Sequence, residues 1–389
     1  MPTNFAQSAT LRDNPRSPGV EFFGSGNNAP MREPDWRNGM QNTIIKPIFL
    51  VGSPRSGTSI LTWCLGQHPN IFPVDESTGI GELALALAVC YQTKMGLGPD
   101  SLWSAMNMQR EEFIGAFGQT INKLIQRHKV DLERKWWKQA FAPNVPPHDF
   151  VAEKATSLTK ARWVDGTPAY SFHICGLRKL FPNALFVHVI RDVTSVVRSM
   201  VNFHLLYGVT LFANEQEAYN LWFYSVNACL LAEQAYGPKA MFRLTYSELV
   251  NQPEASLRAL LGFLGEPYAP ECLIPLQKRI NSSDVPADFR LGERGTDPLV
   301  IERATRLNAE IENPQASDVS TIAVDKMEAT FNAQINHRAI LRDKYAREHA
   351  RAQRLANEVK LKKDTIRRLR ARRWRHKLRQ LVFGQDAAS

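Results

Sequence analysis

The sequence predicts an α/β fold, a parallel sheet flanked by helices, with a basic helical extension at the C-terminus. Three observations carry this. Short apolar runs at Ile44–Val51, Leu185–Ile190 and Ala240–Leu244 alternate with segments whose apolar residues recur every three or four positions. The 389 residues are 44% hydrophobic and 10% aromatic, enough for a large core. Charge is segregated: residues 338–389 hold 17 Lys and Arg against 5 Asp and Glu, a net of +12. The whole chain is +10, so the other 337 residues sum to about −2, and the isoelectric point of 9.4 describes the tail rather than the body.

Taken in order, residues 1–42 are rich in Asn, Pro, Gly and Ser and show no hydrophobic period, which reads as a flexible lead-in. A sheet domain follows over 43–325. Its first unit is the apolar run to Val51, a turn at Gly52-Ser-Pro, and a helix from Thr58 to Leu65 that His68-Pro69 ends. Gly81–Tyr91 and Phe113–Lys129 carry helical spacing. The strand Leu185–Ile190 leads to a helix over Thr194–Phe203, and further helices are expected over Glu215–Tyr236 and Pro253–Leu264, the last stopped by Gly265. Residues 326–389 form the basic tail. There Tyr345, Ala352, Val359 and Ile366 fall seven apart, and Leu355 and Leu369 belong to a second seven-residue series that Glu348 and Lys362 interrupt; the result is a broken coiled-coil heptad.

The segment Gly52-Ser53-Pro54-Arg55-Ser56-Gly57-Thr58-Ser59 has the glycine spacing of a Walker A loop with Thr58 where Lys is expected, so the sheet is of P-loop type. Backbone N–H groups at the start of a helix bind an anion, Gly57 admits it closely, Thr58 and Ser59 offer hydroxyls, and Arg55 supplies a positive charge. Without the Lys, the loop suits a donor with a transferable group and no metal clamp, and no metal ligands are expected. Mg²⁺-dependent NTPase or kinase chemistry is therefore the lesser reading.

Pro54-Arg-Ser-Gly-Thr-Ser59 resembles the 5′-phosphosulfate loop of sulfotransferases that use 3′-phosphoadenosine 5′-phosphosulfate (PAPS), closest to the form in tyrosylprotein sulfotransferases and bacterial relatives. Leu185–Ile190 followed by Arg191-Asp192, with Ser199 eight residues after Arg191, resembles the family's 3′-phosphate signature. Gly166-Thr-Pro168 and Phe181-Pro182 resemble the link between the two. Leu244-Thr-Tyr246-Ser-Glu-Leu249 resembles the segment that puts Tyr246 at the nucleotide. The resemblance spans roughly residues 45–270. It implies PAPS as donor, Gly52 to Ser59, Arg191, Ser199 and Tyr246 as its contacts, and Arg55 as the charge on the transferring group. An Arg at the carboxyl end of a buried parallel strand points the same way on physical grounds.

Sulfuryl transfer also needs a base for the acceptor proton. The resemblance places it at Glu76; the plainer alternative is that Glu76, Asp75 or Ser77 caps the next helix. His68 and His188 read as structural. Where the family often has Lys before Thr-Pro, this chain has Gly166, so Lys154, Lys160 or Arg162 is the expected source of a second cation. The expected acceptor is a hydroxyl or amine, first of a glycan or glycolipid. A protein tyrosine, a small alcohol or phenol, or a non-catalytic nucleotide-binding scaffold are the alternatives. The tail is expected to make a homodimer or to meet an anionic polymer or membrane surface. Five scattered cysteines, no signal-peptide core and no apolar run longer than Leu83–Tyr91 place the protein in the cytoplasm.

Overall fold

A computed structural model describes residues 45–140, 160–207, 214–277, 285, 291, 295–312 and 319–383. The lead-in over 1–42 and Lys154 lie outside them. Five strands form one parallel sheet in the order β2-β3-β1-β4-β5, with β1 Ile48–Gly52, β2 Ile71–Val74, β3 Arg162–Asp165, β4 Leu185–Ile190 and β5 Met241–Thr245. Strand β1 sits centrally and every residue in it is buried, the pattern of a parallel strand covered on both faces.

Alternation along the strands sorts the core into two layers. Phe49, Val51, Phe72, Val74, Trp163, Phe186 and Met241 face one side. They pack there with helices α2 (Gly79–Met95), α4 (Arg110–Arg127), α6 (Ile174–Leu180) and α8 (Glu215–Tyr236). The Phe49 ring lies 5.3 Å from Trp163 and 5.6 Å from Tyr170, both edge-on. Ile48, Leu50, Ile71, Val164, Val187, Val189 and Leu244 face the other side, against α1 (Thr58–Gly66), α9 (Tyr246–Asn251) and α10 (Pro253–Leu264). Helix α10 ends where Gly265 turns left-handed at φ 73°. A third cluster joins α7 (Val193–Tyr207) and α8 to α12 (Pro298–Glu312). Helices α3 (Leu102–Ala105), α5 (Lys129–Ala140) and α11 (Ile274–Gln277) complete the domain.

Sequence reading finds three strands, and the described residues form five. β2 and β3 are four residues long; Pro73 argues against a strand at β2, and β3, bracketed by Arg162 and Asp165, shows no apolar run. Arg162 is held locally. Arg162 donates to the Lys46 and Leu264 carbonyls at 2.9 and 2.6 Å and pairs with Glu266 at 3.0 Å.

The tail is one helix, α13 (Thr321–Phe383), about 95 Å long at 1.5 Å per residue. Its first turns belong to the sheet domain: Ala323, Met327, Phe331 and Ile335 are buried in the first core layer. Beyond Arg342, whose guanidinium donates to Thr93 Oγ1 at 3.0 Å, the helix is exposed. Among the described residues no helix is long and apolar enough to cross a membrane, and all five cysteines are free thiols.

Candidate active site

The strand register brings the carboxyl ends of β1, β4 and β5 level, with Gly52 beside Val189 and Ile190 beside Thr245. The loop after β1, the Arg after β4 and the Tyr after β5 therefore open into one crevice, where sheets of this kind take ligands. The loop departs from ordinary backbone at three places: Gly52 has φ 145°, Arg55 68° and Gly57 111°. A Cβ on Gly52 would lie 2.4 Å from the Val189 carbonyl oxygen, and one on Gly57 2.6 Å from the Tyr246 ring, so both positions require glycine. Ser171 Oγ anchors the loop entry by accepting from Gly52 N at 2.8 Å. Gly57 is the N-cap of α1, which aims the first-turn amides of Thr58 and Ser59 at the loop.

Within the cradle the Ser56 hydroxyl is buried with no hydrogen-bond partner. An anion held by the loop amides would satisfy it, and the lack of room for side chains at Gly52 and Gly57 is what close backbone approach to a phosphate needs. These residues fit the phosphosulfate end of a nucleotide. Ser53 and Thr58 are buried beneath the turn; Thr58 contributes its carbonyl to Thr62 Oγ1 at 2.9 Å.

The two motifs meet through their side chains. Arg55 Nε donates to Ser199 Oγ at 3.2 Å, and its guanidinium lies 4.6 Å from the Phe203 ring centre. The Arg191 guanidinium sits 4.5 Å over the Tyr246 ring and reaches the Arg55 carbonyl at 3.5 Å. Asp192 does not hold Arg191; its Oδ1 accepts from Ser195 N at 2.8 Å and starts α7. The Arg191 carbonyl accepts from Trp222 Nε1 at 3.0 Å, which fixes the strand end. A capping box places Tyr246: Thr245 Oγ1 accepts from Glu248 N at 3.1 Å and Thr245 N donates to Glu248 Oε2 at 3.0 Å.

Across the crevice Ser59 Oγ donates to Glu76 Oε1 at 3.1 Å. Glu76 does not cap α2, whose N-cap is Thr78; Ser77 Oγ accepts from the first helical amide, Gly79 N, at 3.1 Å, and Asp75 pairs with Lys135 at 2.7 Å. Glu76 sits at the accessible rim, crowded by protein that raises its pKa, while the Ser59 hydrogen bond and the Arg55 charge pull it back. Behind it Asp165, wholly buried, is pushed up to about 7, mainly by burial against the pull of Thr167.

The histidines are occupied elsewhere. His68 Nδ1 accepts from Asn70 N at 3.1 Å, so its Nε2 donates to the Pro267 carbonyl at 2.9 Å. His188 lies 2.6 Å from Glu233; burial opposes its cation, Cys229 and Glu233 favour it, and the balance is upward, to about 9. Of the expected second cations, the two among the described residues do not reach the crevice either. Lys160 is buried in an ion pair with Glu133 at 2.7 Å and donates to the Gly66 carbonyl at 2.9 Å, and Arg162 is tied at the far end of β3. Sequence reasoning passed over Ser171, Thr167 and Tyr170, which hold the site's loops from below. Their signal lay in the Thr-Pro stretch that was read only as a link.

The profile of the sulfotransferase family matches residues 47–270, and the chain belongs to that family. Protein-tyrosine sulfotransferase A of Caenorhabditis elegans is 24% identical over 258 residues, 65% of this chain and 57% of that protein. Protein-tyrosine sulfotransferase 1 of Danio rerio is 22% identical over 227 residues, 57% of this chain and 53% of that one. The match thus spans little more than half the length of these two relatives. Among solved structures, the sulfotransferase domain from the curacin biosynthetic pathway is 20% identical, with 74% of this chain and 98% of that chain covered and a TM-score of 0.36. That from the Synechococcus PCC 7002 olefin synthase is 18% identical, with 74% and 95% covered and a TM-score of 0.36.

Gly166 has a steric reason: a Cβ there would lie 2.2 Å from Thr62 Oγ1. Gly166→Ala is expected to destabilise the fold by about 1–3 kcal/mol, and Thr62→Ala in the same chain to recover most of it. Thermal melting checks this; an unchanged midpoint for Gly166→Ala contradicts the account.

Proposed function

We propose that this chain moves a sulfuryl group from PAPS to a hydroxyl or amine, acting in the cytoplasm on a glycan or glycolipid. The observation that carries the reading is the Arg55–Ser199 hydrogen bond, which joins the phosphate loop to the strand-end Arg motif in one crevice. When bound, the donor supplies an activated sulfuryl group on a phosphate leaving group. The amides around Gly57 and the Ser56 hydroxyl hold the 5′ end, Arg191 and Ser199 grip the 3′-phosphate, and Tyr246 lies against the nucleotide. Arg55 balances charge on the bridging oxygen and the sulfuryl group. Glu76 removes the acceptor proton; the protein crowding its carboxyl raises its pKa, which makes it a better base near neutrality. Thr58 in the Lys position weighs against Mg²⁺–ATP chemistry. The names of the curated relatives favour a second acceptor, a protein tyrosine, and small alcohols or phenols stand behind it.

A labelled-donor screen across glycans, tyrosine peptides and small alcohols tests the acceptor. With the acceptor found, turnover is expected to fall as pH drops through a midpoint above the ordinary Glu value of about 4.3. Glu76→Gln should still bind donor and lose transfer together with that acid limb. Wild-type transfer by the variant would remove Glu76 from the reaction, and donor binding with no transfer to any acceptor would favour a scaffold.

The tail belongs to the same reading. Residues 360–379 carry eleven Lys and Arg and one Asp, spread around the helix, and Leu361, Ile366, Leu369, Trp374 and Leu378 gather on no single face. That favours an anionic polymer over a membrane surface. Tyr345, Leu355, Val359, Ile366 and Leu369 are exposed on the broken heptad, as a homodimer seam would be before pairing. Removing 338–389 should abolish salt-sensitive retention on dextran sulfate and halve the mass in solution; unchanged retention contradicts the first part, unchanged mass the second.

A further inference from the structure

We infer that Asp165 and Thr167 are positioning residues that hold the Glu76 loop in its working place through the backbone of Ser77. This rests on Glu76 being the base. Residues 76–79 lie exposed at the surface, and an exposed loop has no packing of its own to fix a carboxylate. Three buried side chains supply what packing does not. Thr167 Oγ1 accepts from Ser77 N at 2.7 Å, across the peptide bond from Glu76. Tyr170 Oη donates to the Ser77 carbonyl, with its ring wedged edge-on against Phe49. Asp165 is the third.

A threonine hydroxyl is a rotor with one proton, and it accepts from Ser77 N only while that proton points elsewhere. Asp165 settles the direction. Its Oδ1 takes the Thr167 hydroxyl proton at 2.5 Å and the Thr167 N–H at 3.0 Å, and the residue has no exposed surface. With the acceptor gone, the hydroxyl is free to turn toward the Ser77 carbonyl 3.4 Å away, where Tyr170 already donates. The chain Asp165, Thr167, Ser77 then breaks at its middle, and Glu76 loses its fixed approach to Ser59. The hydrogen-bond acceptor does this work rather than the negative charge, so an amide at 165 serves as well as a carboxylate.

The test compares Asp165→Ala, Asp165→Asn, Thr167→Val and Thr167→Ser in the full chain. Three quantities are measured: transfer of labelled sulfate to water, affinity for 3′-phosphoadenosine 5′-phosphate by calorimetry, and the Glu76 carboxyl titration by NMR of isotope-labelled glutamate. Asp165→Ala and Thr167→Val are expected to lower turnover about 10²-fold while nucleotide affinity stays within about two-fold, the signature of a displaced catalytic group. In both, the Glu76 midpoint should move back toward its ordinary value. Asp165→Asn and Thr167→Ser should recover most of the turnover and the raised midpoint. Wild-type turnover and an unmoved midpoint in Asp165→Ala and Thr167→Val overturn the inference, as does Asn at 165 behaving like Ala. Because the carboxyl titration reads the loop without the reaction, a silent Glu76→Gln would remove the base and leave this result standing.

Discussion

Gly52 leaves β1 with its α-carbon against the Val189 carbonyl, and Gly57 enters α1 under the Tyr246 ring. Between them the chain must turn through left-handed backbone, at Arg55 as well as at the two glycines. A non-glycine residue in that region costs on the order of 1–3 kcal/mol, and it persists where its surroundings fix it. Here the Ser171 hydroxyl at the entry, the Arg191 contact on the Arg55 carbonyl and the α1 cap at the exit all fix it. The strain has a use: it turns the loop amides toward one point and throws the Arg55 side chain across to Ser199. The rest of the crevice is arranged around that turn, since β4 delivers Arg191 and β5 delivers Tyr246 at the same level.

The second half of the site is built on softer ground. The phosphate loop is backbone-defined and buried to half-buried, whereas Glu76 sits on an exposed stretch between β2 and α2. A side chain on such a stretch takes its rigidity from its neighbours, here the end of β3 and the segment after it, where Asp165, Thr167 and Tyr170 are all buried. The same segment carries Gly166, whose missing side chain leaves space for Thr62 on α1. The Gly166-Thr167-Pro168 stretch thus holds two loops together from below, and Arg55 and Arg191 bring positive charge to the crevice.

How far the sequence could be read follows from the physics of each signal. The ends of β4, α8 and α10 were legible to the residue, because an apolar run broken only by His188, an Asn before Glu215 that accepts from Glu217 N at 3.0 Å, and a terminal glycine mark them. Strands β2 and β3 were not, being too short to show a period and carrying Pro73, Arg162 and Asp165. The phosphate loop was legible because glycines at fixed spacing answer a backbone requirement. The support under Glu76 was not, because it depends on β2 and β3 lying side by side, with Val74 level with Asp165. The histidines face structural partners: His68 spends both ring nitrogens and His188 its Nδ1. The candidate cations at 160 and 162 failed for a related reason. They precede or open β3 and so lie at the amino end of the sheet, away from the crevice.

The central claim is that one crevice, lined by the loop and by Arg191, takes a nucleotide carrying phosphates at both ends. Calorimetric titration of wild-type and Arg191→Ala chains with 3′-phosphoadenosine 5′-phosphate and with adenosine 5′-phosphate tests it most directly. Wild type should prefer the 3′-phosphorylated nucleotide by about 10–100-fold, the worth of a charge-assisted contact, and Arg191→Ala should lose that preference while binding adenosine 5′-phosphate nearly as before. Equal affinity of the wild type for the two nucleotides, or an equal loss for both in Arg191→Ala, would contradict the account.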